Sequence, residues 1–339
     1  MYEPPVDLPE AALEAGLRVH YGLDVAAVTM LSLGQDTAAW VYRVLTATDA
    51  AYFLKVRRSV SNAPSLVVPR YLHDQGVAQV VAPLLTTRGA LWADVAGYAL
   101  TLYPFVAGTT GMAQGMAPAQ WHAYGAILRQ IHSTPLSPEV APLLRQETFV
   151  PAEAALVRDL DTQIGGRTLT DPVAQELAPL WQERRDVIQR LVARAEVLGQ
   201  QVAQRPPANV LCHADIHTNN VLLDAGGGVW IVDWDDTLLA PKERDLMFVV
   251  GGGLNRALVG PREEEVALQG YGATRLDHRA LTYYRYARAV SDLSEYGLQV
   301  LARSDLSVLR RQAAIGRFLT LFQPGRIVEV ALASDEAAP

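Results

Sequence analysis

The runs His213-Ala214-Asp215-Ile216-His217-Thr218-Asn219-Asn220 and Ile231-Val232-Asp233-Trp234 concentrate side chains suited to acting on a phosphate. Between Asn220 and Asp233, VLL (Val221–Leu223) and VWIV (Val229–Val232) read as short apolar strands, joined by Asp-Ala-Gly-Gly-Gly at 224–228. The glycines supply the positive-φ positions of a tight reversal. A hairpin brings the start of its first strand beside the end of its second, so the Asn220 amide and the Asp233 carboxylate are expected at neighbouring positions, roughly 5 Å apart. That spacing suits two oxygen donors gripping one hard cation, with Asp215 as a further carboxylate just upstream. A free acid followed by a metal-gripping pair is a constellation for phosphoryl transfer.

The elements that must position these groups change character along the chain. Residues 8–21 read as a helix stopped at Gly22, and Val25–Leu33, Ala38–Thr46 and Tyr52–Arg57 as strands, the third carrying a single Lys55. A helix-like stretch at 65–75, an apolar run at 77–85 and a strand-like run at 93–103 complete a β-rich unit. After the Gly-rich break AGTTGMAQGMAP, helical periodicity dominates at 118–133, 172–200, 243–250, 263–271, 278–302 and 305–322, while the tail ASDEAAP is expected to fray. The expected architecture is α+β and bilobal: a β-rich N-lobe over 1–106, and a mostly helical C-lobe over 107–339 that carries the hairpin region 211–233, with a cleft between them.

Composition bounds the partners. A chain of 339 residues, half of them hydrophobic, can bury a large core and exceeds the usual size of one domain. Its net charge of −7 argues against a nucleic-acid backbone as main partner and is compatible with a cationic ligand. The lone Cys212 excludes an internal disulfide and fits a reducing compartment. The start MYEPPVDLPE has no basic n-region or apolar core, and no apolar stretch approaches the ~20 residues of a membrane span. A cytoplasmic protein without a membrane partner is expected.

The spacing His213-x-Asp215-x-x-x-x-Asn220 with the later Asp233-Trp234 matches the catalytic loop and metal-binding Asp of the kinase fold in its small-molecule form. The chain thus resembles the aminoglycoside phosphotransferase family, and the stretch LAPKERDLMFVVGGG at 239–253 resembles its spectinomycin phosphotransferase branch. The resemblance implies a protein-kinase-like fold and transfer of the ATP γ-phosphoryl group to a hydroxyl of a small cationic acceptor. It implies Asp215 as the group that orients the hydroxyl and takes its proton, and Asn220 and Asp233 as ligands of Mg²⁺. Lys55 matches the strand lysine that pairs with the α- and β-phosphates, although the helix after it offers no Glu partner, only Asp74 near its end. The loop around Gly34 and Thr37 would cover the phosphates with one glycine where protein kinases use three. Tyr103 and Phe105 stand where a hinge would read adenine, and since Pro104 has no N–H any donor must come from a neighbour such as Phe105. His213 and Asp245 would support the loop, Asp245 by satisfying backbone donors behind it. His217 fits a phosphate or substrate contact and a supporting role equally.

Acids that could receive a cationic acceptor are Asp235 and Asp236, next to the metal Asp, and Asp292 and Glu295 in the helix 278–302. There Tyr286, Val290, Leu293, Gly297 and Val300 share an apolar face, with Tyr284, Arg288, Asp292 and Glu295 opposite. Arg288 and Asp292, one turn apart, read more readily as a surface ion pair than as a binding site. Three other functions fit the residues less fully. A housekeeping amino alcohol or amino sugar could be the acceptor. A nucleotide-binding regulator without turnover would keep the fold. A metallohydrolase could use His213, Asp215, His217 and Asp233 as ligands, which leaves Asn220 and Lys55 without a task.

Overall fold

A computed structural model describes residues 5, 7–31, 39–166, 169–303 and 305–336. In chain order its elements are α1 (Glu10–Tyr21), β1 (Val25–Leu31), β2 (Ala39–Thr46), β3 (Ala51–Arg57), α2 (Pro64–Asp74), β4 (Ala93–Val95), β5 (Tyr98–Pro104), β6 (Gly108–Thr110), α3 (Gly111–Gln114), α4 (Pro118–Ser133), α5 (Ala154–Gly166), α6 (Pro172–Glu183) and α7 (Arg185–Gln204). They continue with β7 (Asn209–Cys212), β8 (Val221–Asp224), β9 (Val229–Ile231), β10 (Leu238–Pro241), α8 (Glu243–Leu246), α9 (Pro261–Tyr271), α10 (His278–Leu301), α11 (Val308–Leu321) and α12 (Ile327–Glu336). The expected loop positions Gly34 and Thr37 lie outside the described residues. The fold is mixed α+β, in two compact units: Met1–Met116, Ser133–Arg145 and Thr218–Thr237 form the first, and Ala117–His132, Gln146–His217 and Leu238–Pro339 the second. This division is not the single boundary at 106/107 anticipated from the change in periodicity. The hairpin groups with the β-rich unit because β8 pairs with β6, while the β9 residue Ile231 exchanges backbone hydrogen bonds with Gln79 and Val81.

The first unit is built on an antiparallel sheet of order β1-β2-β3-β5-β4. Its side chains alternate, so Leu54 and Val56 of β3 enter a core with Leu13 and Leu17 of α1, Val44, Leu100 and Leu102. The same alternation sends Lys55 and Arg57 to the opposite face. A second sheet, order β6-β8-β9, carries the hairpin. The apolar run at 77–85 contributes no strand of its own; Val80 makes only an isolated parallel bridge to Ile231.

The second unit is helical apart from the β7/β10 ribbon. Its central helix is α10, which packs against α5, α6, α7, α8, α11 and α12. Helices on so many sides leave little of α10 for solvent, and Tyr284, read as part of a polar face, is fully buried beside Tyr283 and Tyr286. The stretch 172–200 is two helices, interrupted at Arg184 (φ −104°, ψ 4°). The stretch 243–250 is one short helix and a 3-10 turn. Helices α5 and α12 have no counterpart in the periodicity reading. Helix α12 buries Ile327, Val328, Val330 and Ala331, and Asp335 near its end is held by Arg194 and by the Tyr286 hydroxyl.

Candidate functional site

In the first unit, the hairpin is fastened at both ends. At its tip, the Asp224 carboxylate accepts from the backbone N–H groups of Gly226 and Gly228 and from Trp230 Nε1, at 2.7–2.8 Å. At its base, the Val232 N–H donates to the Asn220 carbonyl at 3.1 Å, so the pairing set by Val221 and Ile231 extends one step to the metal-ligand candidates. Asn220 is buried and Asp233, at φ 66°, is half exposed. An amide and a carboxylate are hard oxygen donors of the kind Mg²⁺ takes, so the donor chemistry fits the metal.

Lys55 has an acid, and it is not on α2. Its Nζ lies 3.3 Å from Asp235 Oδ2 and 3.9 Å from Asp233 Oδ1. Arg57, two residues along the same face of β3, reaches the same Asp235 oxygen at 2.6 Å, and Asn62 Nδ2 holds the Asp235 carbonyl at 2.6 Å. Burial works against the charge on Asp235, but Lys55 and Arg57 outweigh it and hold the carboxyl at about 2. The candidate acceptor ligand Asp235 is therefore occupied by two cations of its own unit. Asp74 is spent on Arg70. Asp236 is exposed, 3.7 Å from Arg145.

Tyr103 packs edge-on against Phe53, and Phe105 lies under the Arg43 guanidinium. Pro104 and Phe105 also line a cavity of about 490 Å³ with Val80, Leu84, Val106 and Trp230. Lys55, Asn220 and Asp233 are not among its lining residues.

In the second unit, the loop bearing Asp215 is tied down by buried polar groups. Asp245, inside α8, accepts from the N–H groups of His213 (2.9 Å) and Ala214 (2.6 Å), and shares a hydrogen bond with His132 Nε2 (3.0 Å). Ala214 adopts φ 69°, a left-handed conformation a non-glycine residue takes only when its surroundings impose it. Two residues on, the Tyr124 hydroxyl donates to the Ile216 carbonyl at 2.9 Å. Burial would raise Asp245, yet the His132 hydrogen bond and the neighbouring histidines hold it below the usual carboxylate range.

Asp215 is met by a residue from far along the chain. Arg288 Nη1 donates to Asp215 Oδ1 at 2.5 Å, Arg288 Nε lies 2.9 Å from Asp292 Oδ1, and His217 Nε2 lies 3.5 Å from Asp215 Oδ2. Burial alone would raise the Asp215 carboxyl, but Arg288 and His217 pull it below its ordinary value. Burial pushes His217 down, and it pushes Asp292 up despite Arg288. The Arg288–Asp292 pair is thus not a surface pair: the two side chains are only 20% and 14% exposed. Glu295 is exposed and takes Gln299 Nε2 at 2.6 Å. Arg57, His132 and Tyr124 were not singled out by sequence, and Arg288 was weighed there only as half of an ion pair with Asp292. The signal for Arg288 was available only in the number of large apolar residues all around α10.

Among the described residues, the one set of three side chains with metal-ligating atoms mutually within 4.8 Å is the buried His132, Cys212 and Asp245. His213, Asp215 and His217 are not among its members. No helix among the described residues is long and apolar enough to cross a membrane.

Comparison with known proteins gives the same picture. The profile of the phosphotransferase enzyme family matches residues 29–285. Protein StrN of Streptomyces griseus is 26% identical over 247 residues, 69% of this chain and 73% of StrN. Among solved structures, spectinomycin phosphotransferase APH(9)-Ia, in complex with ADP and spectinomycin, superposes with a TM-score of 0.88 at 32% identity, covering 96% of this chain and 98% of that one. An ethanolamine kinase of Plasmodium vivax shares the fold, with a TM-score of 0.60 at 14% identity over 90% of this chain and 86% of its own.

Proposed function

The chain belongs to the phosphotransferase enzyme family, and from that premise we propose that it transfers the ATP γ-phosphoryl group to a hydroxyl of spectinomycin or a closely similar cationic acceptor. It is an enzyme, a small-molecule kinase. The observation that carries the acceptor is the likeness, over nearly the full length of both chains, to a spectinomycin phosphotransferase seen with ADP and spectinomycin.

Asp215 orients the acceptor hydroxyl and takes its proton as the oxygen attacks. The O–P bond forms while the bond to the β-phosphate oxygen breaks, and ADP leaves with that electron pair. Lys55 pairs with the α- and β-phosphates; Asp235 positions it in place of the helix glutamate that α2 lacks, and Arg57 adds a second cation on the same face of β3. Phe105 offers a backbone donor to the base. Asn220 and Asp233 would hold Mg²⁺, which would supply positive charge to offset that of the phosphates. Asp245 and His213 keep the backbone of the Asp215 loop in place.

A coupled ADP-release assay with Mg·ATP across spectinomycin, other aminoglycosides, choline, ethanolamine and amino sugars tests this, with product mass checked for one added phosphoryl group. Turnover on spectinomycin is the expected result. Turnover on an amino alcohol or amino sugar instead would keep the chemistry and replace the acceptor with a housekeeping metabolite. Asp215→Asn should bind Mg·ATP yet lose kcat by several orders of magnitude; a kcat near that of the parent would remove Asp215 from the mechanism.

A further inference from the structure

Helix α10 places Arg288 and Asp292 one turn apart on a helix packed by six others, where the Arg288 side chain is only 20% exposed. Three groups fix it. Asp215 Oδ1 accepts from Nη1 at 2.5 Å, Asp292 Oδ1 lies 2.9 Å from Nε, and the Phe248 ring lies under the guanidinium carbon at 5.8 Å. Phe248 also packs edge-on against the His217 ring, so one aromatic side chain braces two of the groups that face Asp215. The two Asp215 oxygens are thereby differentiated: Oδ1 is held by Arg288, and Oδ2 is turned toward His217.

This deepens the reading of Asp215 as the base and rests on it. We propose that Arg288 is a positioning residue for the acceptor reaction: it pins Asp215 through Oδ1 so that Oδ2 receives the acceptor's proton, and Asp292 balances the guanidinium charge. The planar fork of arginine can engage two carboxylates at a fixed angle, which the single ammonium of lysine cannot reproduce. With one guanidinium between two carboxylates, the Asp215–Arg288–Asp292 group has one more acid than cation. A cationic acceptor is therefore drawn toward the base even though an arginine touches it. Besides Arg288 and Asp292 on α10, the titratable groups facing Asp215 are His217 and His213 of its own loop.

The test uses the full chain and the acceptor that turns over in the panel above. Arg288→Met should lower kcat about 10²-fold, the scale of a misplaced catalytic group, while leaving KM for Mg·ATP within a factor of two. Its acid limb in kcat/KM for the acceptor should move to higher pH, because Asp215 loses the cation that favours its charged form. Arg288→Lys should recover part of kcat and part of the pH shift, which a merely structural role would not grade in this way. If Arg288→Met does not fold, Arg288→Lys carries the test: about a tenfold loss in kcat at constant KM for Mg·ATP supports the proposal. Unchanged kcat and an unchanged pH profile in the variants that fold overturn it. Asp215→Asn run alongside separates the two readings: an active Asp215→Asn sinks the base assignment and this proposal together, whereas an inactive one beside fully active Arg288 variants sinks only the role of Arg288.

Discussion

Replacing Asp245 by asparagine changes one atom's worth of chemistry at the point where the Asp215 loop is anchored. The carboxylate is fully buried and serves three partners: the N–H groups of His213 and Ala214, and the His132 ring. Asparagine keeps one oxygen, which can satisfy one of the two backbone donors, and turns an NH₂ toward the other. One buried N–H left without an acceptor costs about 1–3 kcal/mol, and loss of a charge-assisted bond adds about 1.5–3 kcal/mol. The expected destabilisation is therefore about 2.5–6 kcal/mol, a large part of the ~5–15 kcal/mol that holds a typical domain folded. Urea unfolding followed by tryptophan fluorescence reads it, since Trp121 and Trp181 are buried in the same unit. The pH dependence has a defined sign. The folded Asp245 carboxyl is held below its ordinary value, so its contribution is present above the unfolded pKa of about 3.9 and is lost as pH falls through the folded value. Parent and variant should differ fully at pH 7 and converge in acid. Because Ala214 is held at φ 69° by this carboxylate, kcat should also fall, by about 10²-fold, from displacement of Asp215. A variant within about 0.5 kcal/mol of the parent at pH 7, with normal kcat, would refute the anchoring argument.

Three further outcomes are expected. Asp235→Asn removes the carboxylate shared by Lys55 and Arg57, so KM for Mg·ATP should rise and kcat fall, each about tenfold; steady-state kinetics in which only the acceptor KM moves would return Asp235 to the acceptor side. Asp233→Ala should abolish the Mg²⁺-dependent part of nucleotide binding, and calorimetry finding the same Mg·ATP affinity would count against Asp233 as a ligand. Gly270→Ala and Gly125→Ala should each destabilise by about 1–3 kcal/mol although alanine is the better helix former, because the added methyl of the first falls on the His122 carbonyl oxygen and that of the second on the Ala267 carbonyl oxygen. A raised urea midpoint in either would show that α4 and α9 do not need this close approach.

What could be read from the chain was what the chain decides locally. The hairpin from Val221 to Ile231 is closed by its own Asp224 and glycines, so spacing alone was enough to bring Asn220 level with Val232, next to Asp233. Strands β1 to β3 announced themselves by alternation, and Lys55 stood out because a period of two places it opposite Leu54 and Val56. The helix boundaries failed where packing overrules propensity: Arg184 breaks a stretch that is helical on both sides, and α12 forms from an apolar run buried against α10, with Asp335 held by Arg194 and Tyr286. The partners of the charged groups were out of reach for a different reason. Lys55 and Asp235 are 180 residues apart, and Asp215 and Arg288 are 73 apart. An Arg and an Asp one turn apart look identical on a solvated helix and on one walled in by six others. On the first the pair adds a few tenths of a kcal/mol. On the second, desolvation penalises each charge unless another group answers it, and the half-buried Arg288 meets Asp215 of the loop as a second carboxylate beside Asp292.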